Sequence, residues 1–124
     1  MLKVLLIDDD DTVRDAVRFG LLKLKHTVVA TNDGREALRL FRDSPTDLVI
    51  TDLVMPEHDG FETIRDFRKE FPKIPIIAMS GGGKIGAGEY LAIAKKLGAS
   101  ETLTKPFSVD ELDAAIQTIF RSAQ

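Results

Sequence analysis

The sequence predicts an α/β fold in which five parallel strands alternate with five helices, and three observations carry the prediction. Short apolar, β-branched runs recur along the whole chain. Between them, apolar residues return at helical spacing. Residues suited to helix caps stand at several of the junctions. Strands that read as nearly continuous apolar runs and are joined through helices belong in a sheet covered on both faces.

The runs are KVLLI (3–7), TVVA (27–30), LVIT (48–51), PIIAM (75–79) and ETLT (101–104). The first, third and fourth are the most apolar and are expected at the centre of the sheet, with TVVA and ETLT at its flanks. The first helix is marked by Val13, Val17, Leu21 and Leu24, with Asp11 as its expected N-cap. Ala37, Leu38 and Phe41 mark the second, opened by Asp33-Gly-Arg-Glu36 at capping-box spacing. Phe61, Ile64, Phe67 and Phe71 mark the third behind Asp59, and Tyr90, Leu91, Ala94 and Leu97 the fourth, stopped at Gly98. A second capping-box spacing, Ser108-Val-Asp-Glu111, opens the fifth, which runs through Leu112, Ala115, Ile116 and Ile119. The glycine-rich stretch SGGGKIGAG (80–88) is the irregular region and is expected to be a mobile loop. No repeat, linker or low-complexity tail divides the chain, so 1–124 reads as one domain.

Composition narrows the function. The 124 residues suffice for one well-cored domain, and 44% hydrophobic with 30% charged residues is ordinary for a globular protein. A net charge of −3 lacks the basic footprint of direct nucleic-acid binding. The chain has no cysteine, which excludes disulfides and thiolate metal sites. No stretch approaches the roughly 20 apolar residues of a membrane span, and LKVLLI is too short for a signal-peptide core, so a cytoplasmic location is expected.

The segment VLLIDDDD (4–11) places four carboxylates directly behind an apolar run. Like charges so close repel, and each is costly to desolvate. In an open α/β sheet, ligands sit outside the carboxyl ends of the strands. Asp8 and Asp9 follow strand 1, Asp52 follows strand 3, Ser80 strand 4 and Lys105 strand 5. Asp8, Asp9 and Asp52 bring three negative charges, Lys105 returns one, and a hard dication would supply the rest. Mg²⁺ suits this oxygen donor set; with no cysteine, and with His26 and His58 away from the strand ends, zinc suits it poorly. A carboxylate beside a metal, a lysine and a hydroxyl can act as a nucleophile toward phosphorus. Asp52, alone at a central strand end and facing the pair, is the natural acceptor, and Ser80 can donate a hydrogen bond to a phosphoryl oxygen.

With the acidic pair in LLIDDDD, the acceptor loop VITDLVMPEHDG, the hydroxyl in IIAMSG and the lysine in LTKPF, the chain resembles response-regulator receiver domains of two-component signalling, of the chemotaxis-regulator type. The resemblance runs over essentially the whole chain. It implies a doubly wound (βα)5 sheet of flavodoxin-like order 2-1-3-4-5, with Asp52 as the phosphorylated residue. It implies Asp9, Asp52 and the backbone carbonyl of Val54 as Mg²⁺ ligands, with Asp8 acting mainly through water. It further implies that Ser80 and Lys105 contact the phosphoryl group, and that the Lys105–Pro106 bond is cis.

The remaining residues take plainer roles. Asp10 reads as solvated charge, Met55 and Pro56 as loop-shaping, Asp59-Gly60 as a turn and cap that shapes the acceptor loop, and both histidines as surface bystanders. The glycine-rich loop lacks the GxxxxGK[ST] spacing of a nucleotide cradle. Two departures from the family stand out. Thr102 occupies the switch position where receivers commonly carry Tyr or Phe, and the loop after strand 4 is lengthened, so loop ordering is expected to carry the signal in place of a ring flip. Val54 and Gly82, at positions that tune phosphoryl loss, cannot orient a water through their side chains, which predicts a lifetime not among the family's shortest.

The leading reading is a Mg²⁺-dependent phosphoacceptor, served by a histidine kinase or a histidine phosphotransfer protein, that regulates a downstream protein or an output domain. It catalyses only its own phosphorylation and dephosphorylation. The alternative is a small Mg²⁺-dependent phosphatase with an aspartyl nucleophile. The chain has no room for the cap domain such enzymes use, and that reading leaves Asp52 and Lys105 unexplained. A third reading, the regulatory half of a DNA-binding transcription factor, requires an output domain beyond these residues.

Overall fold

Strands and helices alternate without exception: β1 (Lys3–Ile7), α1 (Asp11–Lys23), β2 (Thr27–Thr31), α2 (Gly34–Asp43), β3 (Leu48–Asp52), α3 (Gly60–Glu70), β4 (Ile76–Gly81), α4 (Ala87–Leu97), β5 (Glu101–Lys105) and α5 (Val109–Ser122). The computed structural model describes residues 1–53, 59–81 and 87–122, with the side chains of 87, 88 and 122 outside that description. All pairings are parallel and the strand order is 2-1-3-4-5. The three most apolar runs occupy the centre, as their composition requires.

Alternation along the strands divides the interior into two layers. Leu5, Ile7, Val49, Ile76 and Ala78 face one side, where Ala37 and Phe41 of α2, Ile64 and Phe67 of α3 and Ala94 of α4 cover them. Val4, Leu6, Ile50, Ile77 and Met79 face the other, against Val17 and Leu21 of α1 and Leu112 and Ile116 of α5. Fully burying such side chains is worth roughly 1.5–3 kcal/mol each, so the two layers dominate the stability of the fold.

Strand ends differ from the sequence reading in a way that matters for the site. Pro75 lies outside β4, since it has no N–H to give the ladder; its carbonyl accepts from Val49 N at 3.0 Å. At the carboxyl ends the ladders run further than expected. Asp52, Ser80 and Lys105 are therefore strand residues, held by sheet hydrogen bonds.

The caps bring corrections. Asp10, not Asp11, caps α1: its backbone is extended, and its carboxylate accepts from Thr12 N at 3.0 Å and Val13 N at 3.2 Å. Asp11 is the first helical residue and pairs with Arg14 at 2.6 Å. Ser108 and Glu111 form the full reciprocal box, whereas Glu36 accepts from the Thr31 hydroxyl at 2.7 Å, and it is Thr31 that takes the Asp33 N–H. Asp59 caps α3 as expected. His26 is half-buried and structural: its Nδ1 accepts from Leu2 N at 3.1 Å, joining the start of β1 to the turn after α1. Gly98 ends α4 with φ +119°.

Candidate functional site

The strand order reverses between β1 and β3, so a crevice opens where their carboxyl ends diverge. The structure brings Asp8, Asp9, Asp52 and Lys105 together there. Asp8, Asp9 and Asp52 each offer an oxygen, and these lie within 4.8 Å of one another. Asp8 and Asp52 are buried and Asp9 is more open. From β5, the lysine arm crosses to both buried carboxylates: Lys105 Nζ stands 2.8 Å from Asp52 Oδ1 and 3.1 Å from Asp8 Oδ2. The Lys105–Pro106 bond is cis, as the family resemblance implied.

One ammonium thus touches two of the three carboxylates. Burial pushes the Asp52 carboxyl above its ordinary range, the hydrogen bond from Lys105 opposes this, and the charges of Asp8 and Asp9 add to the upward push. Burial works against the lysine ammonium, but Asp52 and Asp8 together outweigh it and hold Lys105 above its usual value. Three negative charges against one positive leave a deficit of two in a partly buried, all-oxygen pocket. That donor set fits a hard divalent cation, which takes carboxylate oxygens and retains waters.

Ser80 is buried at the end of β4, the strand between those of Asp52 and Lys105. Among the described residues its hydroxyl has one hydrogen bond, a 3.5 Å contact to the Gly81 carbonyl, so its donor is weakly engaged. Thr102 is half-buried on β5 and paired in register with Ala78. Val54, Met55, Pro56, His58, Gly82 and the centre of the glycine-rich loop lie outside the described residues, and with them the Val54 carbonyl and the loop-ordering and lifetime expectations.

Two contributors escaped the sequence reading in part or whole. Gly60 is required by close approach: a Cβ there would lie 2.0 Å from the Asp52 carbonyl oxygen, while Gly60 N donates to Leu53 O at 3.0 Å. The first turn of α3 therefore rests on the backbone of Asp52, and the Asp59-Gly60 pair signalled the turn but not this contact. Arg14 donates from Nη1 to the Asp8 carbonyl at 2.9 Å. Nothing in the pattern of α1 sets that arginine apart from its other polar residues.

The comparisons agree with this geometry. The family model for the response regulator receiver domain matches residues 4–117. The chain is 36% identical over 119 residues to the probable transcriptional regulator ycf27 of Guillardia theta, covering 96% of this chain and 45% of that protein. It is 32% identical over 115 residues to the regulatory protein AtoC of Escherichia coli, covering 93% of this chain and 24% of that one. The chain spans about half the length of the ycf27 regulators it matches. Among solved structures, a response regulator receiver domain protein from Clostridium thermocellum superposes with TM-score 0.87 at 32% identity, over 99% of this chain and 98% of that one. The Vibrio cholerae chemotaxis protein CheY4 does so with TM-score 0.86 at 30% identity, over 96% and 98%. No helix among the described residues is long and apolar enough to cross a membrane. The strand order, the acidic crevice and these matches converge: the chain belongs to the response regulator receiver domain family.

Proposed function

We propose that this chain, read as a single receiver domain over 1–124, accepts a phosphoryl group on Asp52 from a histidine kinase or histidine phosphotransfer protein. Membership among response regulators implies such a kinase and an output function, and the matches do not favour the phosphatase alternative. The observation that carries the residue assignment is Lys105 Nζ bridging Asp52 and Asp8 from β5, in a pocket still two positive charges short.

An Asp52 carboxylate oxygen attacks phosphorus in line; the P–O bond forms as the P–N bond to the donor imidazole breaks, and the imidazole leaves with the electron pair and takes up a proton. Asp8, Asp9 and Asp52, with the Val54 carbonyl that the resemblance adds, would hold Mg²⁺, which when bound neutralises phosphoryl oxygens. Lys105 exchanges its contact with Asp52 for one with a phosphoryl oxygen, and the weakly engaged Ser80 hydroxyl donates to another. Thr102, beside the strand that carries Ser80, is the switch position. The domain turns over no separate substrate beyond its own phosphorylation and dephosphorylation, binds no nucleic acid directly and works in the cytoplasm on a partner protein or output domain.

An apolar groove of about 410 Å³ beside Lys105, between α1 and α5, is lined by Val13, Ala16, Gly20, Pro106, Phe107 and Val109. It suits the apolar side of a donor helix carrying the phosphohistidine to the crevice.

Incubation with a small-molecule phosphodonor and Mg²⁺, followed by intact mass and peptide mapping, tests the reading. A single phosphoryl adduct on Asp52 is expected, absent in Asp52→Asn and in EDTA. An adduct elsewhere, or turnover of a generic phosphomonoester, would overturn it.

A further inference from the structure

The turn between β1 and α1 is wired at almost every polar atom. Asp8 N donates to Thr31 O at 3.2 Å, Asp8 Oδ1 accepts from Asp10 N at 3.0 Å, and Asp8 Oδ2 takes Lys105. Asp10 is committed to capping α1. Asp9, between them, has no side-chain hydrogen bond or ion pair among the described residues. Among the described residues, its carboxylate is therefore aimed only by the backbone. The backbone group nearest to that task is the peptide joining Asp8 to Asp9, whose carbonyl accepts from Arg14 Nη1 at 2.9 Å. A peptide is planar, so holding that carbonyl also holds Asp9 N and narrows the directions open to the Asp9 side chain.

Arg14 is built to do this. It rises from the first turn of α1, where its own N–H donates to Asp10 O at 2.8 Å. Its side chain is only 19% exposed, and its second nitrogen, Nη2, is anchored on Asp11 at 2.6 Å. The guanidinium fork spans a carbonyl and a carboxylate at once, which a lysine cannot reproduce with the same geometry. Asp11 also offsets part of its charge.

We propose that Arg14 is a positioning residue of the acidic crevice, fixing the Asp8–Asp9 peptide so that the Asp9 carboxylate stays with those of Asp8 and Asp52. This rests on the reading of the crevice as a Mg²⁺ site. Groups that orient metal ligands without touching the metal are worth about 10–100-fold in affinity.

Two mechanisms predict opposite signs. If Arg14 acted only as a nearby positive charge, Arg14→Met would bind Mg²⁺ more tightly, and Arg14→Lys would leave binding unchanged. As a positioning residue, both variants bind more weakly, Arg14→Met by about tenfold or more and Arg14→Lys by less. Calorimetric titration of wild type, Arg14→Met and Arg14→Lys with MgCl₂, alongside melting temperatures without metal, decides between them. Weakened binding with a near-wild-type Tm in at least one variant supports the proposal. Tighter or unchanged binding in both overturns it, as does a loss that appears only where Tm collapses. If wild type itself shows no Mg²⁺ binding, the metal reading fails along with it; if wild type binds and both variants match it, only the role of Arg14 falls.

Discussion

Lys105 Nζ lies 2.8 Å from Asp52 Oδ1 although the two residues end strands that do not neighbour each other, with β4 between them. The contact joins a carboxylate raised above its ordinary pKa, chiefly by burial, to an ammonium held above its own. Because the folded state holds the Asp52 proton more tightly than the unfolded chain, ionising Asp52 removes stability. The loss grows as pH rises from the ordinary carboxylate value to the raised one, and is full above it. Asp52→Asn carries no such charge. It is expected to melt at a higher temperature than wild type at pH 7 without metal, the difference shrinking as pH falls below the raised value and vanishing below about pH 4. A lower Tm at pH 7 would show that the pairing with Lys105 outweighs the burial of charge.

Gly60 allows the first turn of α3 to rest on the peptide of Asp52, where a Cβ would meet backbone at 2.0 and 2.6 Å. Backbone cannot move aside cheaply at the end of a central strand. Gly60→Ala is expected to cost on the order of 3 kcal/mol or more in chemical denaturation. It should also depress phosphorylation of Asp52 beyond what the remaining folded fraction explains. A wild-type denaturation midpoint would contradict the close approach.

Lys25 adopts φ 72° at the residue after the C-cap of α1. His26 N donates to Leu21 O at 3.1 Å and Lys25 N to Leu22 O at 3.0 Å, the paired bonds of a Schellman motif. A residue with a Cβ pays about 1–2 kcal/mol to sit in this left-handed region. Lys25→Gly is therefore expected to stabilise the protein by about 1 kcal/mol, read as a higher denaturation midpoint with unchanged slope. A destabilised variant would mean that the side chain of Lys25 contributes more than its backbone conformation costs.

His26 is held below its ordinary pKa of 6.5 by burial and by the N-terminal ammonium, against the opposing charge of Asp113. Its Nδ1 accepts from Leu2 N, which requires that nitrogen to be unprotonated. The unfolded chain binds this proton more readily, so the contribution of His26 is full above pH 6.5 and is lost as pH falls through the lowered value. Melting temperatures measured from pH 7.5 to 5 should decline more steeply for wild type than for His26→Asn. Parallel curves would remove His26 from the account.

Much of this protein was legible in one dimension because its signals are local. Apolar runs and helical periodicity arise from the alternation of buried and exposed positions, and they yielded five strands, five helices and the central place of strands 1, 3 and 4. Asp59, Ser108 with Glu111, and Gly98 were readable because a cap acts within four residues of itself. Caps failed where a neighbour intervened: Asp10 took the capping role from Asp11, with its own N–H held by the Asp8 carboxylate, and Glu36 was drawn off by Thr31. His26 looked like surface because its partner, Leu2, lies 24 residues away. The order of chemical residues after successive strands pointed to Asp8, Asp9, Asp52, Ser80 and Lys105 as neighbours, since a parallel sheet must bring the carboxyl ends of its strands to one edge. Only tertiary structure decided that one lysine serves two carboxylates, that Gly60 must lack a side chain, and that Arg14 grips the Asp8–Asp9 peptide. Those contacts depend on distances between segments far apart in the chain or on the direction of a single carbonyl, and neither quantity is encoded in residue spacing.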